Sequence, residues 1–185
     1  FSTNQIKIQI QTDVAIDQSG NGNKVTDIIL FNTLVSAAND INYTYDSETK
    51  TSTYTRLAFL GNTNILRDNI DNLTFVDNIP DDVYDSSTNT YIDSTAWDVS
   101  AQKDNSIIAW YETNANGTVK VYIGSNDEIF GNVDSSYLFA FIGYAENCTS
   151  TETITNIGFL NVSNVTDMDC MFHSTGYTAM TRLDL

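Results

Sequence analysis

The stretch "IKIQIQTDVAI" sets Ile6, Ile8 and Ile10 on every second position with polar residues between them, the period of a strand with one buried face. The glycine-rich "DQSGNGNK" then turns the chain. From Val25 to Ile41, apolar residues fall at 25, 28, 31, 34, 35, 38 and 41, which share one helical face, and this spacing predicts the principal helix. "INYTYDSETKTSTYTRLAFL" goes back to β-branched and aromatic residues on both sides of a polar turn and predicts a hairpin.

Leu73 to Val76 predict a short strand, and Pro80 then interrupts any ladder because it lacks an N–H donor. Two apolar-aromatic runs flank Asn116-Gly117, a dipeptide suited to a tight turn, so strands are expected near 106–113 and 118–124. "SSYLFAFIGY" supplies another short apolar segment, and the polar stretch 84–95 reads as the most loop-like part of the interior. "LGNTN" marks a boundary near residues 60–65. At the end, "FLNVSNVTDMDCMF" places Val162, Val165, Met168, Met171 and Phe172 on an inward face, and Met180, Leu183 and Leu185 alternate as a strand would. Strand plus coil in about 25 residues is the size of one structural repeat, which buries little alone and needs stacked neighbours.

Composition narrows the function classes. The 185 residues are 41% hydrophobic and 11% aromatic, enough for a core. A formal net charge of −16, from 24 acidic against 8 basic residues, repels phosphate backbones and anionic lipid, and no Lys/Arg cluster offsets it. Nucleic acid is therefore excluded as a partner, and the lack of any eighteen-residue apolar run predicts no membrane insertion. The polar, Asn-, Ser- and Thr-rich exterior suits an extracellular setting. The start at Phe1, without initiator Met or apolar leader, reads as a mature product or an excised fragment.

The most metal-like stretch is "DQSGNGNKVTD". Asp17, Ser19 and Asn21 take positions one, three and five of a calcium loop, with Gly22 at the sharp turn and Asn23 offering its carbonyl. Position twelve, however, is Ile28, and the nearest acid, Asp27, comes one residue early. The alternative is a plain Gly/Asn-rich turn between a strand and a helix. No other cofactor is indicated. Cys148 and Cys170 suit either a disulfide or two independent thiols, and with the single His173 they cannot complete a zinc site.

No catalytic residue stands out. His173 is a lone histidine inside the terminal motif, and no carboxylate pair separates itself from a generally acidic surface, so no enzyme is expected. Trp97, Trp110 and the tyrosine-rich hairpins suit a carbohydrate platform or, as most aromatics in β-rich domains do, core and cross-strand pairs. Six Asn-x-Ser/Thr triplets, at Asn42, Asn72, Asn116, Asn147, Asn161 and Asn164, are what this composition gives by chance. The Asn164 amide is expected to satisfy backbone groups within the coil.

"NVSNVTDMDCMF" followed by "MTRLDL" resembles the repeat of the BspA-like leucine-rich-repeat surface proteins, "F-x-T-S-N-V-T-x-M-x-x-M-F" and then "L-x-x-L-D-L". Ser163, Asn164, Val165, Thr166, Met168, Met171, Phe172, Met180, Leu183, Asp184 and Leu185 match or substitute conservatively. The chain departs from that pattern in "HSTGYTAMTR", about two residues longer than usual, and it lacks "G-C-S-S-L". "NIDNLTFVDNIPDDV", "WDVSAQKDNSIIAWYETNANGTVKVYIGS" and "SSYLFAFI" resemble the text that precedes such repeats, so the likeness spans 64–185 and leaves 1–63 without a counterpart.

The expected fold is α+β and β-rich, a mixed capping region leading into the first coil of a leucine-rich-repeat solenoid. Its segments would be 1–63, 64–158 and 159–185. The resemblance implies a non-catalytic, cell-surface protein acting in adhesion, whose partners are a host or neighbouring-cell surface protein or glycan. The competing expectation is a subunit of an extracellular filament, self-assembled through the uncovered strand at the solenoid end.

Overall fold

The computed structural model describes residues 7–10, 26–29, 32–56 and 58–183. At the N-terminal side β1 (Lys7–Ile10) pairs antiparallel with β2 (Thr26–Ile29). A ribbon follows, β3 (Ile41–Asp46) with β4 (Thr51–Arg56), and then a tight hairpin of β5 (Ala58–Phe59) and β6 (Asn62–Leu66). The long strand β7 (Ile70–Val76) leads to a small hairpin, β8 (Tyr84–Asp85) with β9 (Thr90–Tyr91). Then come β10 (Trp97–Asp98), β11 (Ile108–Thr113), β12 (Val119–Gly124), β13 (Ile129–Phe130), β14 (Ile154–Thr155) and β15 (Leu160–Asn161).

One five-stranded sheet, in the order β10-β11-β12-β7-β14, organises the molecule. The hairpin β11–β12 forms around Asn116-Gly117 as its turn chemistry predicts, with Trp110 opposite Tyr122 and Ala109 opposite Ile123. Strand β7 then runs parallel to both neighbours, so Leu73 lies beside Val121 on one side and Ile154 on the other. Period-two alternation divides the side chains. Leu73, Phe75, Ala109, Val121, Ile123 and Ile154 enter the main core, while Ile108 and Trp110 pack with Ile79, Val83 and Tyr84 on the opposite face.

The fold is β-rich, not α+β. Among the described residues the only helical pieces are the short 3-10 turns Arg67–Asn69 and Ile157–Phe159. The helix expected over Val25–Ile41 is not formed: Thr26–Ile29 is strand, and Thr33 and Leu34 bridge to Phe130 and Ser100. Its apolar positions are drawn to different places, Leu34 and Ala37 into the main core and Ile41 into a separate cluster with Ala140 and Phe141. Tertiary pairing here overrides the 3.6-residue spacing.

Nor is there a solenoid among the described residues. Of the five residues expected to face inward at the end, only Met171 is buried; Val162, Met168 and Phe172 are exposed and Val165 is half-buried. Met180 to Leu183 form no strand, and Leu185 lies outside the described residues. What the terminal segment builds instead is one layer of turns laid against another.

Candidate functional site

The short apolar segment "SSYLFAFIGY" lies within residues 133–144 and forms no strand. Tyr137 and Phe141 take positive φ, 58° and 63°, which folds the apolar run into successive turns closed by Leu138 N–H to the Ser135 carbonyl at 3.2 Å, Ala140 to Tyr137 at 3.1 Å and Ile142 to Phe139 at 3.3 Å. The segment 166–177 repeats the arrangement 33 positions later. Cys170 and Ser174 have φ of 53° and 55°, and the matching turn bonds are Met171 to Met168, His173 to Cys170 and Thr175 to Phe172, at 3.1, 3.0 and 3.2 Å. Asp134 and Asp167 each accept from the N–H two residues on, and Gly143 and Gly176 share positive φ.

Along their centre the two coils stack through a ladder of one polarity, while at its ends the Thr166 and Asp167 N–H groups donate to the Val133 carbonyl at 2.9 and 3.0 Å and the Gly176 N–H to the Ile142 carbonyl at 2.6 Å. The N–H groups of Ser135, Tyr137, Phe139 and Phe141 donate to the carbonyls of Asp167, Asp169, Met171 and His173, at 2.9, 3.0, 2.9 and 2.9 Å. Side chains stack in step, Phe139 on Phe172 with ring centroids 5.2 Å apart, and Tyr144 on Tyr177 at 5.1 Å.

Beneath the first coil the same acceptor positions are closed by side chains. Arg67, fully buried, donates through one guanidinium nitrogen to the carbonyls of Tyr137, Leu138 and Ala140 at 2.8, 3.0 and 3.2 Å, and through the other to Asp40 at 2.7 Å. The Ser36 hydroxyl donates to the Asp134 carbonyl at 3.1 Å. Leu138, Ala140 and Asp134 lie 33 positions before Met171, His173 and Asp167, so the arginine and serine stand where a preceding layer would put its N–H groups. Burial pulls the Arg67 pKa below its ordinary value, and Asp40 opposes that shift.

Above the second coil nothing described closes the edge. The N–H groups of Met168, Cys170, Phe172 and Ser174 correspond to the four that hold the first coil to the second, and they have no acceptor among the described residues. Beside them Met168 is 45%, Phe172 36% and Tyr177 74% exposed. This donor edge with its apolar fringe is the candidate site.

The metal expectation lies elsewhere: Asp17, Ser19, Asn21 and Asn23 fall outside the described residues, and Asp27 is placed only as backbone in β2. No group of three His, Cys, Asp or Glu side chains is arranged for a metal among the described residues. His173 packs its ring on Tyr54 and Phe141, each with centroids 5.1 Å away. Trp97 donates Nε1–H to the Leu60 carbonyl and Trp110 stacks on Tyr122 at 5.3 Å and 12°, so both are held within the body and form no platform. The cysteines are not joined; Cys148 is buried, which pushes its thiol up to about 11. Among the described residues no hydrogen bond forms at the Asn164 amide, against expectation; Asn161 instead accepts from the Ser163 N–H. One surface cleft is lined by Asp71, Asn72, Thr74, Asn114, Lys120 and Glu152. In this cleft of about 490 Å³, Asp71 is already bound by the Thr149 and Ser150 N–H groups and Glu152 is paired with Arg182 at 3.8 Å.

Comparison of the chain with protein-family models, with curated proteins and with solved structures gives no match.

Proposed function

We propose that the chain is a non-catalytic extracellular surface protein that acts by binding, and that its contact is made by the uncovered edge of the coil 166–177. The observation that carries this reading is the contrast between the two coils: identical turns, with the inner donors all used and the outer donors, Met168, Cys170, Phe172 and Ser174, all free among the described residues. An unpaired main-chain edge flanked by exposed apolar side chains is a template for association. The strongly acidic surface keeps copies of the chain apart, so contact at this edge depends on its main-chain donors and apolar fringe.

Beads coated with the protein test the reading in an adhesion assay on cell and matrix surfaces. Beads carrying the parent should adhere, and the double variant Met168→Glu/Phe172→Asp should lose most of that adhesion while keeping its melting temperature. Equal adhesion of both, or none by the parent on any surface, overturns it. Sedimentation of the parent at high concentration separates adhesion from the filament reading, because a filament subunit would grow into long assemblies.

A further inference from the structure

The ribbon β3–β4 stands beside the stack and outreaches it. Cross-strand pairs place Ile41 and Arg56, Tyr43 and Tyr54, and Tyr45 and Ser52 on one face of the ribbon, in that order toward its tip. The first pair belongs to the first coil: Ile41 is buried with Ala140 and Phe141, and the Arg56 guanidinium lies 4.6 Å over Phe141 and 4.3 Å over Tyr144. The second pair reaches the second coil, Tyr54 packing on His173 at 5.1 Å as well as on Phe141 of the first at 5.3 Å, with Tyr43 against it at 5.0 Å. The third pair has no layer beside it among the described residues, and Tyr45 is 55% exposed. Two residues of strand rise about 6.8 Å and stacked layers stand about 4.8 Å apart, so the ribbon walls the space of one further layer.

We propose that this notch, with the donor edge of 166–177 as floor and the Tyr43 and Tyr45 face as wall, is a peptide-docking site that takes a neutral or basic polypeptide segment as an added layer through its main-chain carbonyls. The proposal rests on the binding reading above and names its partner. The centre of the floor offers the four N–H groups of Met168, Cys170, Phe172 and Ser174, so the occupant must offer acceptors at alternate residues there, as Asp167, Asp169, Met171 and His173 do to the first coil. A second copy meeting edge to edge would set N–H against N–H and is excluded by that polarity. Asp167 and Asp169 stand exposed on the floor, and the exposed tyrosine faces favour a cation, so an acidic segment is disfavoured. Phe172, exposed on its outer side, gives an apolar side chain of the incoming segment the seat that Phe139 gives to Phe172.

The probe is a synthetic peptide with the sequence of residues 160–178, made once unchanged and once with Asp167→Asn and Asp169→Asn, against a scrambled control. Titration of the labelled full chain should move the amide signals of Met168, Cys170, Phe172 and Ser174 and slow their hydrogen exchange, with tighter binding of the neutral peptide. Tyr43→Ser and Tyr45→Ser should each weaken it roughly threefold to tenfold. No shift at those four amides with either peptide, equal shifts with the scrambled one, or a dimer formed through this face in sedimentation overturns the proposal. If the beads adhere and the Met168→Glu/Phe172→Asp variant does not, yet the peptides leave the amides unmoved, the docking mode falls and the binding reading stands. Peptide docking without any bead adhesion gives the reverse.

Discussion

The coils 133–144 and 166–177 share turns, φ signs and spacing, yet the first is buried on both sides and the second on one. Their side chains follow that difference. Phe139 is fully buried and meets Phe75 edge-on at 6.2 Å, whereas Phe172, its counterpart, shows 36% of its surface. Leu138 and Ile142 enter the main core, while Met171 alone does so from the second coil. The same backbone thus serves as interior when capped and as surface when not, and it is the cap that decides.

Removing the cap should have the largest effect. Arg67→Met leaves three carbonyls and the Asp40 carboxylate without their donor in a dry site, and urea unfolding should show a loss of about 3–5 kcal/mol. A loss under about 1 kcal/mol would mean that the underside of the stack is sealed by something other than this guanidinium.

The paired phenylalanines give the next contrast. Phe139→Ala should cost about 3–5 kcal/mol by opening a core cavity, and Phe172→Ala should cost under about 1 kcal/mol, since water already covers much of that ring. Comparable losses in the two melts would show that the outer coil is covered in solution.

Glycine substitution sharpens the comparison further. Gly143 and Gly176 have φ of 72° and 64°, so alanine is strained at both, by about 1 kcal/mol. A Cβ at Gly143 would also meet the Thr153 methyl at 2.8 Å and the Gly176 Cα at 3.2 Å, while one at Gly176 would meet Met180 more closely still, its backbone-anchored Cβ at 2.3 Å. Thermal denaturation should therefore rank Gly176→Ala below Gly143→Ala, and the reverse order would show that the turn carrying Met180 moves aside more readily than the packing between the coils.

The smallest effect concerns the thiols. Cys148 is held neutral by burial, with its pKa near 11, and Cys170 is raised too, chiefly by burial, but it lies partly open on the outer coil. A raised thiol pKa contributes stability that is whole below the unfolded value of about 9 and is lost as pH climbs toward 11. Iodoacetamide at pH 8 should thus label Cys170 well before Cys148 in peptide mass maps. Faster labelling of Cys148 would contradict its burial.

Much of this architecture is legible in the chain. Ile8 and Ile10 mark β1, the Asn116-Gly117 turn marks β11–β12, and the alternation of Tyr43 and Tyr45 marks β3, because antiparallel hairpins are local and their turn chemistry is written between the strands. The parallel pairings of β7 are not legible, since Leu73 finds Val121 and Ile154 far along the chain and no local pattern announces either. The Val25–Ile41 spacing misleads because residues three and four apart can also serve two cores across a bent segment. The site has a signal that is easily passed over: Asp134, Phe139, Gly143 and Tyr144 recur as Asp167, Phe172, Gly176 and Tyr177, each 33 residues on. That recurrence, more than the terminal motif, announces one layer lying on another. Arg67 announces nothing, as three of its acceptors are carbonyls, which carry no residue identity, and Asp40 is one acid among many.

The arginine beneath the stack also has a bearing on the order in which the protein assembles. Its bonds to Tyr137, Leu138 and Ala140 close loops of 70, 71 and 73 residues, so during synthesis the guanidinium emerges long before its acceptors. Loop closure of that length is slow compared with the local hairpins. The sheet around β7 is therefore expected to complete only with residues 133–144, and the second coil to join after it. Pulsed hydrogen exchange during refolding should find the β7 amides and the Phe139 amide protected in a single late phase, with the β3–β4 ribbon earlier; protection of β7 well ahead of Phe139 would uncouple the two. In kinetic terms Arg67 acts as a checkpoint, tying the centre of the sheet to the arrival of a segment seventy residues downstream.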